Sequence, residues 1–480
     1  MKCILKNLLI VITISLWGCA NQTSDKVLKE KKFESNIYVI KNVNVIPMTE
    51  SNFEVIKNAS VVIKGQKIFS INGQTPDNSK VIDGTGKWLL PGLIDMHVHT
   101  NADLNFKENS PTQGATFFMD TQDVMTTYIA NGVTTIFELG GRVEHFGQRN
   151  EVAKGKVIGP RMAIAAMING GDTNNGGRTV NNSSDAQQAV RSVKAEGYNF
   201  IKAYSDLNIE AFQAVVEEAQ KQGLKVVGHI PDAFKGTTEE AFVPSFGLVA
   251  HAEEFSKQIR EQEKTKEDAE RFAQLSKNNN TWLIPNLIAI VKIKEQVQSL
   301  DSISSMEALK YVHPLLQDKW LNSNNYHKHS SSEFLRYLND LIVFHKEMVV
   351  AFKDAGVPML AGSDAGVSGV VTGFALHDEL ELLVDAGLTT AEALTSATRL
   401  PAKWLEISEK VGTVEVGKYA DLLLLDANPL INIKNTRKIN GVFVNGRWVD
   451  RGEIDKMLSE LADWNTSKKE VYKWKNRREY

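Results

Sequence analysis

Five short apolar runs carry ionisable residues at or near their C-terminal ends, and this recurrence constrains the fold more than any other feature of the chain. The runs are Leu93-Ile-Asp-Met-His97-Val-His99, Phe200-Ile-Lys202-Ala-Tyr204, Val226-Val-Gly-His229-Ile, Leu248-Val-Ala-His251-Ala and Met359-Leu-Ala-Gly-Ser-Asp364-Ala. Each has the texture of a buried strand, and parallel α/β folds build their sites where such strands end. Residues i and i+2 of a strand point to one face, so His97 and His99 converge, and paired imidazoles are a natural start for a divalent metal site. Spacing alone does not make a site. His327-Lys328-His329 has the same spacing, but its Asn, Ser and Lys neighbours read as a loop.

Strand-like and helical patterns alternate from about residue 89 to 410, which implies a parallel barrel. Eight strands are expected: Leu89 to Val98, Thr134 to Leu139, Met162 to Ile168, Asn199 to Tyr204, Lys225 to Ile230, Leu248 to Glu253, Thr281 to Leu287 and Pro358 to Ser363. Ile209 to Gln220 has helical periodicity. Residues 288–357 are long for one βα unit and read either as part of a lid or as a structural helical excursion. Ile37 to Ile46 and Ala59 to Ile68 read as antiparallel strands with Gly65-Gln66 near a turn, and the same texture returns after residue 411. The expected fold is therefore α/β, a TIM (β/α)8 barrel over 89–410. A small β-sandwich from both chain ends (37–88 and 411–450) and a C-terminal helical tail (451–480) complete it.

The first 19 residues bear on the compartment. Lys2 and Lys6 precede an apolar stretch from Leu8 to Trp17 that is too short to span a bilayer. Leu16-Trp-Gly-Cys19 then resembles a bacterial lipoprotein signal, which implies cleavage before Cys19 and lipid on its thiol. Of two cysteines, Cys3 leaves with the signal and Cys19 carries lipid, so the mature chain has no thiol for a disulfide. Residues 20–36 are polar and charged, as a tether is. Ala20 in place of Asp, by resemblance to Gram-negative sorting rules, implies the outer membrane, facing the periplasm. Across 480 residues, 42% are hydrophobic and 24% charged, enough for a large core, and a net charge of −3 gives no global attraction to nucleic acid. The basic tail from Ser467 to Tyr480 reads as a solvated helix end.

Further motifs join the five runs: Pro91-Gly-Leu-Ile-Asp-Met-His-Val-His99, Asn131-Gly-Val-Thr-Thr135, Glu392-Ala-Leu-Thr-Ser-Ala-Thr398, and Gly412 through Leu423. Together they resemble the metal-dependent amidohydrolase superfamily, in its imidazolonepropionase-like and prolidase-like branch, over about residues 37 to 450. Some relatives carry His after paired glycines where this chain has Asp172, so no role is carried over to that position. The loop from Asn169 to Gly177 is nonetheless expected to border the site.

The resemblance implies a binuclear centre. An ammonium has no lone pair with which to ligate, and in relatives a lysine at the position of Lys202 becomes a carbamate that bridges two metals. On this reading His97, His99 and Asp364 hold the more buried ion, His229 and His251 the second, and carbamylated Lys202 joins them. Zinc fits these ligands best, although they do not separate it from manganese, cobalt or iron. Asp364 is the proton shuttle. Tyr204, sharing the inward face of Lys202, either donates to a developing oxyanion or packs as an aromatic, and Asp95 either orients a ligand or serves a structural role. The expected activity is metal-dependent hydrolysis of a C–N bond in a small substrate, a dipeptide or N-acyl amino acid. Lactone, ester or phosphotriester hydrolysis is the alternative at the same site, and a non-catalytic binding protein is the rival from another class.

Overall fold

Strand β1 (Ile37–Val45), rich in β-branched residues, opens the computed structural model, which describes residues 36–50, 54–100, 119–171, 177–260 and 262–475. The expected lipoprotein signal, Cys19, nearly all of the expected tether and Asp172 lie outside the described residues. Strand β2 (Ile56–Lys64) pairs antiparallel with β1, as expected. The run Ala59 to Ile68, expected as one strand, is instead a hairpin: Gly65, at φ +61°, turns β2 into β3 (Lys67–Ile71). Strands β4 (Lys80–Asp83) and β5 (Trp88–Pro91) both run parallel to β1.

At Gly92 the chain changes sheets. The run from Leu89 to Val98, expected as a single barrel strand, splits here into β5 and the first barrel strand, β6 (Leu93–Val98). The Gly92 N–H donates to Asp421 in the outer sheet (2.9 Å) and that of Leu93 to Gly132 in the barrel (2.9 Å). A Cβ at position 92 would stand 2.2 Å from Thr134 Oγ1, so the crossing has room only for glycine.

The barrel continues through β7 (Val133–Gly141), β8 (Arg161–Asn169) with the two-residue β9 (Arg178–Thr179) beside it, β10 (Phe200–Ala203), β11 (Lys225–Gly228), β12 (Phe246–Ala250) and β13 (Trp282–Ile284). The sheet order is β6-β7-β8-β10-β11-β12-β13, and every pairing is parallel. The expected eighth strand is an extended segment without a regular ladder. It bridges Leu283 with Met359 on one side and Val98 with Ala365 on the other, which closes the ring. Left-handed backbone at Asp364 (φ +57°) ends that segment. The same device shortens two other expected strands. His251 (φ +80°) ends the sixth before helix Glu253–Gln258, and Asn286 (φ +51°) ends the seventh before helix Leu287–Gln298.

Inside the barrel, Ile94, Met96, Phe137, Phe200, Val227 and Leu248 pack together, and helices cover the outer faces of the strands. The helix expected from Ile209 runs to Lys221: the Asn208 side chain caps it by accepting from Ala211 N, and Phe212, Val215, Val216 and Ala219 form its buried stripe. Residues 288–357 form a set of helices, of which the longest, Ser332–Ala355, is capped by Ser331 and stopped by Gly356 at φ +75°. His327 lies in a one-turn helix, Asn325–Lys328, rather than in the expected loop, because Asn324 caps that turn.

Strand β14 (Leu422–Leu425) pairs antiparallel with β5 and is followed by β15 (Ile439–Val444) and β16 (Arg447–Asp450). The sheet order β16-β15-β14-β5-β1-β2-β3 joins both chain ends. Bonds from Ile68 N to Lys418 O and from Ala420 N to Gln66 O (both 2.9 Å) fold the β3 edge back over the approach to β14. Ile40, Val61, Leu89, Leu422 and Phe443 fill the space between. The chain then enters helix Arg451–Lys468, capped by Asp450. Among the described residues no helix is long and apolar enough to cross a membrane.

Candidate metal centre

The strand ends that the sequence marks meet at one mouth of the barrel. Each ligand candidate has its main chain pinned to a neighbouring strand. The His229 N–H donates to Ala203 O (3.0 Å), His251 to Ile284 O (2.9 Å), Asp364 to His97 O (2.8 Å) and His99 to Ala365 O (2.8 Å). Glycine lets the backbones come this close: a Cβ on Gly228 would lie 2.0 Å from Ala203 O, and one on Gly362 3.0 Å from the His97 Cβ. Left-handed backbone at His251 and Asp364 is uncommon for such residues and marks conformations that the surroundings impose.

The side chains converge accordingly. Asp364 Oδ1 is 3.2 Å from His97 Nε2 and 3.3 Å from His99 Nε2, while its Oδ2 is 3.9 Å from His251 Nδ1. Lys202, 1% exposed, places Nζ 3.2 Å from His97 Nε2. The ring of His251 lies 4.7 Å from that of His97 and 5.1 Å from that of His229, centroid to centroid. The structure therefore brings His97, His99, Lys202, His229, His251 and Asp364 together. Tyr204 stands beside them, its ring 4.2 Å from that of His229.

A second set of contacts decides which nitrogen each imidazole presents. The Asn286 amide donates to Gly362 O (2.8 Å), which turns its oxygen towards His97 Nδ1 at 3.1 Å. Glu138 stands 3.6 Å from His99 Nδ1, and Ser205 Oγ (2.7 Å) and Glu254 (3.3 Å) face His229 Nδ1. With Nδ1 as the donor in each ring, Nε2 keeps its lone pair, the form a metal needs. The fit to a cation then rests on two features. His229 Nε2 is buried without a partner among the described residues, and His97 Nε2 and His99 Nε2 both face the same Asp364 oxygen. A positive ion between these atoms removes both problems. His97, His99 and Asp364 offer ligand atoms within 4.8 Å of one another.

The electrostatics agree at His97 and His229 but not at His99: burial opposes its charge, yet hydrogen bonds to Asp364 and Glu138 outweigh burial and raise it to about 9, so a metal ion would have to displace a proton there. Burial, reinforced by Lys202, holds His97 and His229 well below the usual imidazole range, so both stay neutral. Burial opposes ionisation of Asp364, but its contacts with His97, His251 and the hydrogen-bonded His99 outweigh burial and keep the carboxyl well below the normal value. Burial pushes the Lys202 ammonium down to about 8. Glu254 is pushed up to about 7 by burial, although Lys257 lies 2.7 Å away. Asp95 does not touch the His97 ring. It accepts from the His97 N–H (3.2 Å) and from Ser363 N and Oγ (2.9 and 2.6 Å), and so ties β6 to the segment carrying Asp364.

A cavity of about 230 Å³ opens over the cluster, lined by Tyr204, His229, His251, Asn286, Tyr326 and Asp364 among others. Tyr326, Ala289, Ile290 and Ile293 come from the 288–357 excursion, which thus supplies part of the wall. The expected substrate-side loop contributes less: Asn169 bonds Asp206, and residues 172–176 lie outside the described set. His327 and His329 take no part. Sequence reasoning missed Glu138, Asn286, Ser205 and Glu254. Glu138 alone carried the same signal as the ligands, an acid near the end of an apolar run.

The amidohydrolase family profile matches residues 88–449. The chain belongs to the amidohydrolase family. As an amidohydrolase it is a hydrolase acting on carbon–nitrogen bonds. It is similar to a dihydroorotase from Elusimicrobium minutum, 24% identical over 422 residues that cover 82% of this chain and 88% of the relative. It is also similar to an imidazolonepropionase from Maricaulis maris, 34% identical over 108 residues, or 22% of this chain and 26% of the relative. Among solved structures, an Xaa-Pro dipeptidase with methionine bound in its active site superposes with a TM-score of 0.65 at 21% identity, covering 86% of this chain and all of that one. This last likeness shows the shared fold.

Proposed function

We propose that the chain hydrolyses the amide bond of a dipeptide or N-acyl amino acid at a centre of two divalent ions, with zinc the best fit to the ligands. The observation that carries the reading is the convergence of four imidazoles and Asp364 around a fully buried lysine. His97, His99 and Asp364 would hold one ion, His229 and His251 the other. Lys202 would bridge them as its carbamate, formed when the neutral amine adds to carbon dioxide and releases a proton. The burial that brings Lys202 down to about 8 supports this, because about a tenth of the amine is then unprotonated at pH 7, far more than for a solvated lysine. Ions bound there supply Lewis acidity that makes water a nucleophile near neutral pH and polarises a carbonyl.

The chain's own groups do the rest. Asp364 accepts the proton of the attacking water and delivers it to the nitrogen as the C–N bond breaks, so that a carboxylic acid and an amine leave. Tyr204, in the cavity wall, would donate to the carbonyl oxygen as it gains charge. Asn286, Glu138, Ser205 and Glu254 hold His97, His99 and His229 in the ligating tautomer. The cavity, at about 230 Å³, suits a small substrate. A panel of dipeptides, N-acyl amino acids, lactones and aryl esters, assayed with one zinc-loaded preparation, tests the reading. Turnover led by the amides is expected; lactones or esters turned over while all amides are refused would contradict it.

A further inference from the structure

At the mouth of the barrel away from the metal centre, a cavity of about 280 Å³ opens where strands β7, β8 and β10 begin. Thr135 of β7, Arg161 at the start of β8 and Phe200 at the start of β10 stand on one side of it. Leu405, Ile407, Lys410, Val411 and Tyr419, from the approach to the outer sheet, stand on the other. It shares no residue with the cavity over the ligand cluster. Phe200 packs against Phe137 and Trp404, with ring centroids 4.9 and 5.5 Å away, so aromatic rings plug the barrel at this end.

Charge sets this cavity apart. Arg149, Arg161 and Lys410 line it, and among the described residues no carboxylate does. Arg161 Nε donates to Asp421, whose carboxylate is nearly buried and also accepts from Asn445 N (3.1 Å). The same guanidinium lies over the ring of Tyr419, 4.2 Å from its centroid, and is thereby held in place. Arg149 and Lys410 have no carboxylate partner among the described residues: Arg149 stacks on Phe146 (4.7 Å) and Lys410 is exposed. Asp421 offsets one charge, and two positive charges are left facing the cavity.

Charges of one sign around a concave wall of low dielectric focus their field and draw in an anion. Two such charges favour a dianion over a carboxylate. A phosphate monoester carries about −1.5 to −2 near neutral pH, and its oxygens match guanidinium and ammonium donors. The rest of the wall is largely apolar, so it has little to offer a sugar or a second charged group.

We infer that this cavity binds a small organic phosphate. Its doubly charged head is received by Arg149, Arg161 and Lys410, and its apolar body lies against Phe200, Leu405, Ile407 and Val411. The site is separate from the metal centre, and the inference stands whichever bond that centre hydrolyses.

Phenylphosphonate is the probe, because its P–C bond resists hydrolysis. It is titrated calorimetrically into the metal-loaded, full-length protein and into the same protein carrying both Arg149→Gln and Lys410→Gln. Neither side chain has an acidic partner to lose, so the variant is expected to fold. Both residues lie at the mouth opposite the metal ions, so the difference between the two titrations isolates this cavity from any binding at the metals. One site per chain is expected that weakens at least about tenfold in the variant. Methylphosphonate, with the charge but no ring, is expected to bind it at least about tenfold more weakly, and benzyl alcohol, with the ring but no charge, to titrate alike in both proteins. Identical phenylphosphonate titrations of the two proteins, or no heat in either, overturn the inference. Methylphosphonate binding as tightly as phenylphosphonate overturns the apolar body, and benzyl alcohol telling the two proteins apart overturns the role of charge.

Discussion

His377 makes acid sensitivity a quantitative test of the fold. The residue is fully buried on helix Phe374–Asp385, with Nε2 3.1 Å from Asn131 O and Nδ1 2.9 Å from Thr436 Oγ1, so it joins that helix to the barrel and to the turn before β15. Burial, reinforced by Arg437, lowers its pKa to about 3, against 6.5 for a free imidazole. Between these values the unfolded chain binds a proton that the folded chain refuses, so stability is fully present above about 6.5 and is lost as pH falls towards 3. For one such group the loss is RT ln(1 + 10^(6.5−pH)), about 0.2 kcal/mol at pH 7 and about 2 kcal/mol at pH 5. Replacing His377 by Gln keeps hydrogen-bonding capacity and removes the titration. His345, also buried and lowered to about 3, titrates equally in both proteins and cancels. Denaturant unfolding of chelator-treated protein at pH 7 and pH 5 is the assay. The wild type should lose about 2 kcal/mol more than His377→Gln over that interval, whatever the variant costs at pH 7. Equal losses would refute the claim that His377 is held neutral by its surroundings.

Three other outcomes are expected. Asp364→Asn should lower kcat by roughly 10²-fold or more, the contribution of a positioned acid–base group, and a variant with normal kcat and normal metal content would remove Asp364 from proton transfer. Asn286→Ala releases His97 Nδ1 and should weaken metal binding about 10- to 100-fold in a competition with a zinc chelator; an unchanged affinity would show that Asn286 does not orient the ring. A chain starting near Glu34 should be soluble and active, and Cys19→Ser should shift the full chain from membranes to the aqueous phase; continued membrane binding by Cys19→Ser would place the anchor elsewhere.

The barrel and the side chains that cluster at its mouth were legible because each strand is a short apolar run and most of the clustered residues are the polar ones at or near its end. Lys202, His229 and Asp364 stand out against Phe200-Ile, Val226-Val-Gly and Met359-Leu-Ala-Gly without any knowledge of which strands are neighbours. The sheet change at Gly92 was not legible. Leu89 to Val98 is apolar throughout, and nothing local says that Leu89 pairs with β1 and β14 while Leu93 bonds the barrel. The strand ends at His251 and Asn286 were misjudged for a related reason: His and Asn tolerate left-handed backbone better than most residues, but only tertiary contacts decide at which positions they adopt it. The partners that orient the imidazoles depend on which strand ends meet, so Asn286 and Glu254 look like ordinary polar residues in sequence.

The central claim is a two-ion centre bridged by modified Lys202, and one experiment reads both parts. Protein loaded with zinc in 13C-labelled bicarbonate, then freed of excess metal, is analysed for metal content and for carbamate by 13C NMR, beside Lys202→Ala treated identically. The account predicts about two zinc ions and one carbamate carbon per chain in the wild type, and loss of the carbamate with a fall in metal content in Lys202→Ala. One zinc ion per chain, no carbamate signal and unchanged metal content in Lys202→Ala would contradict it.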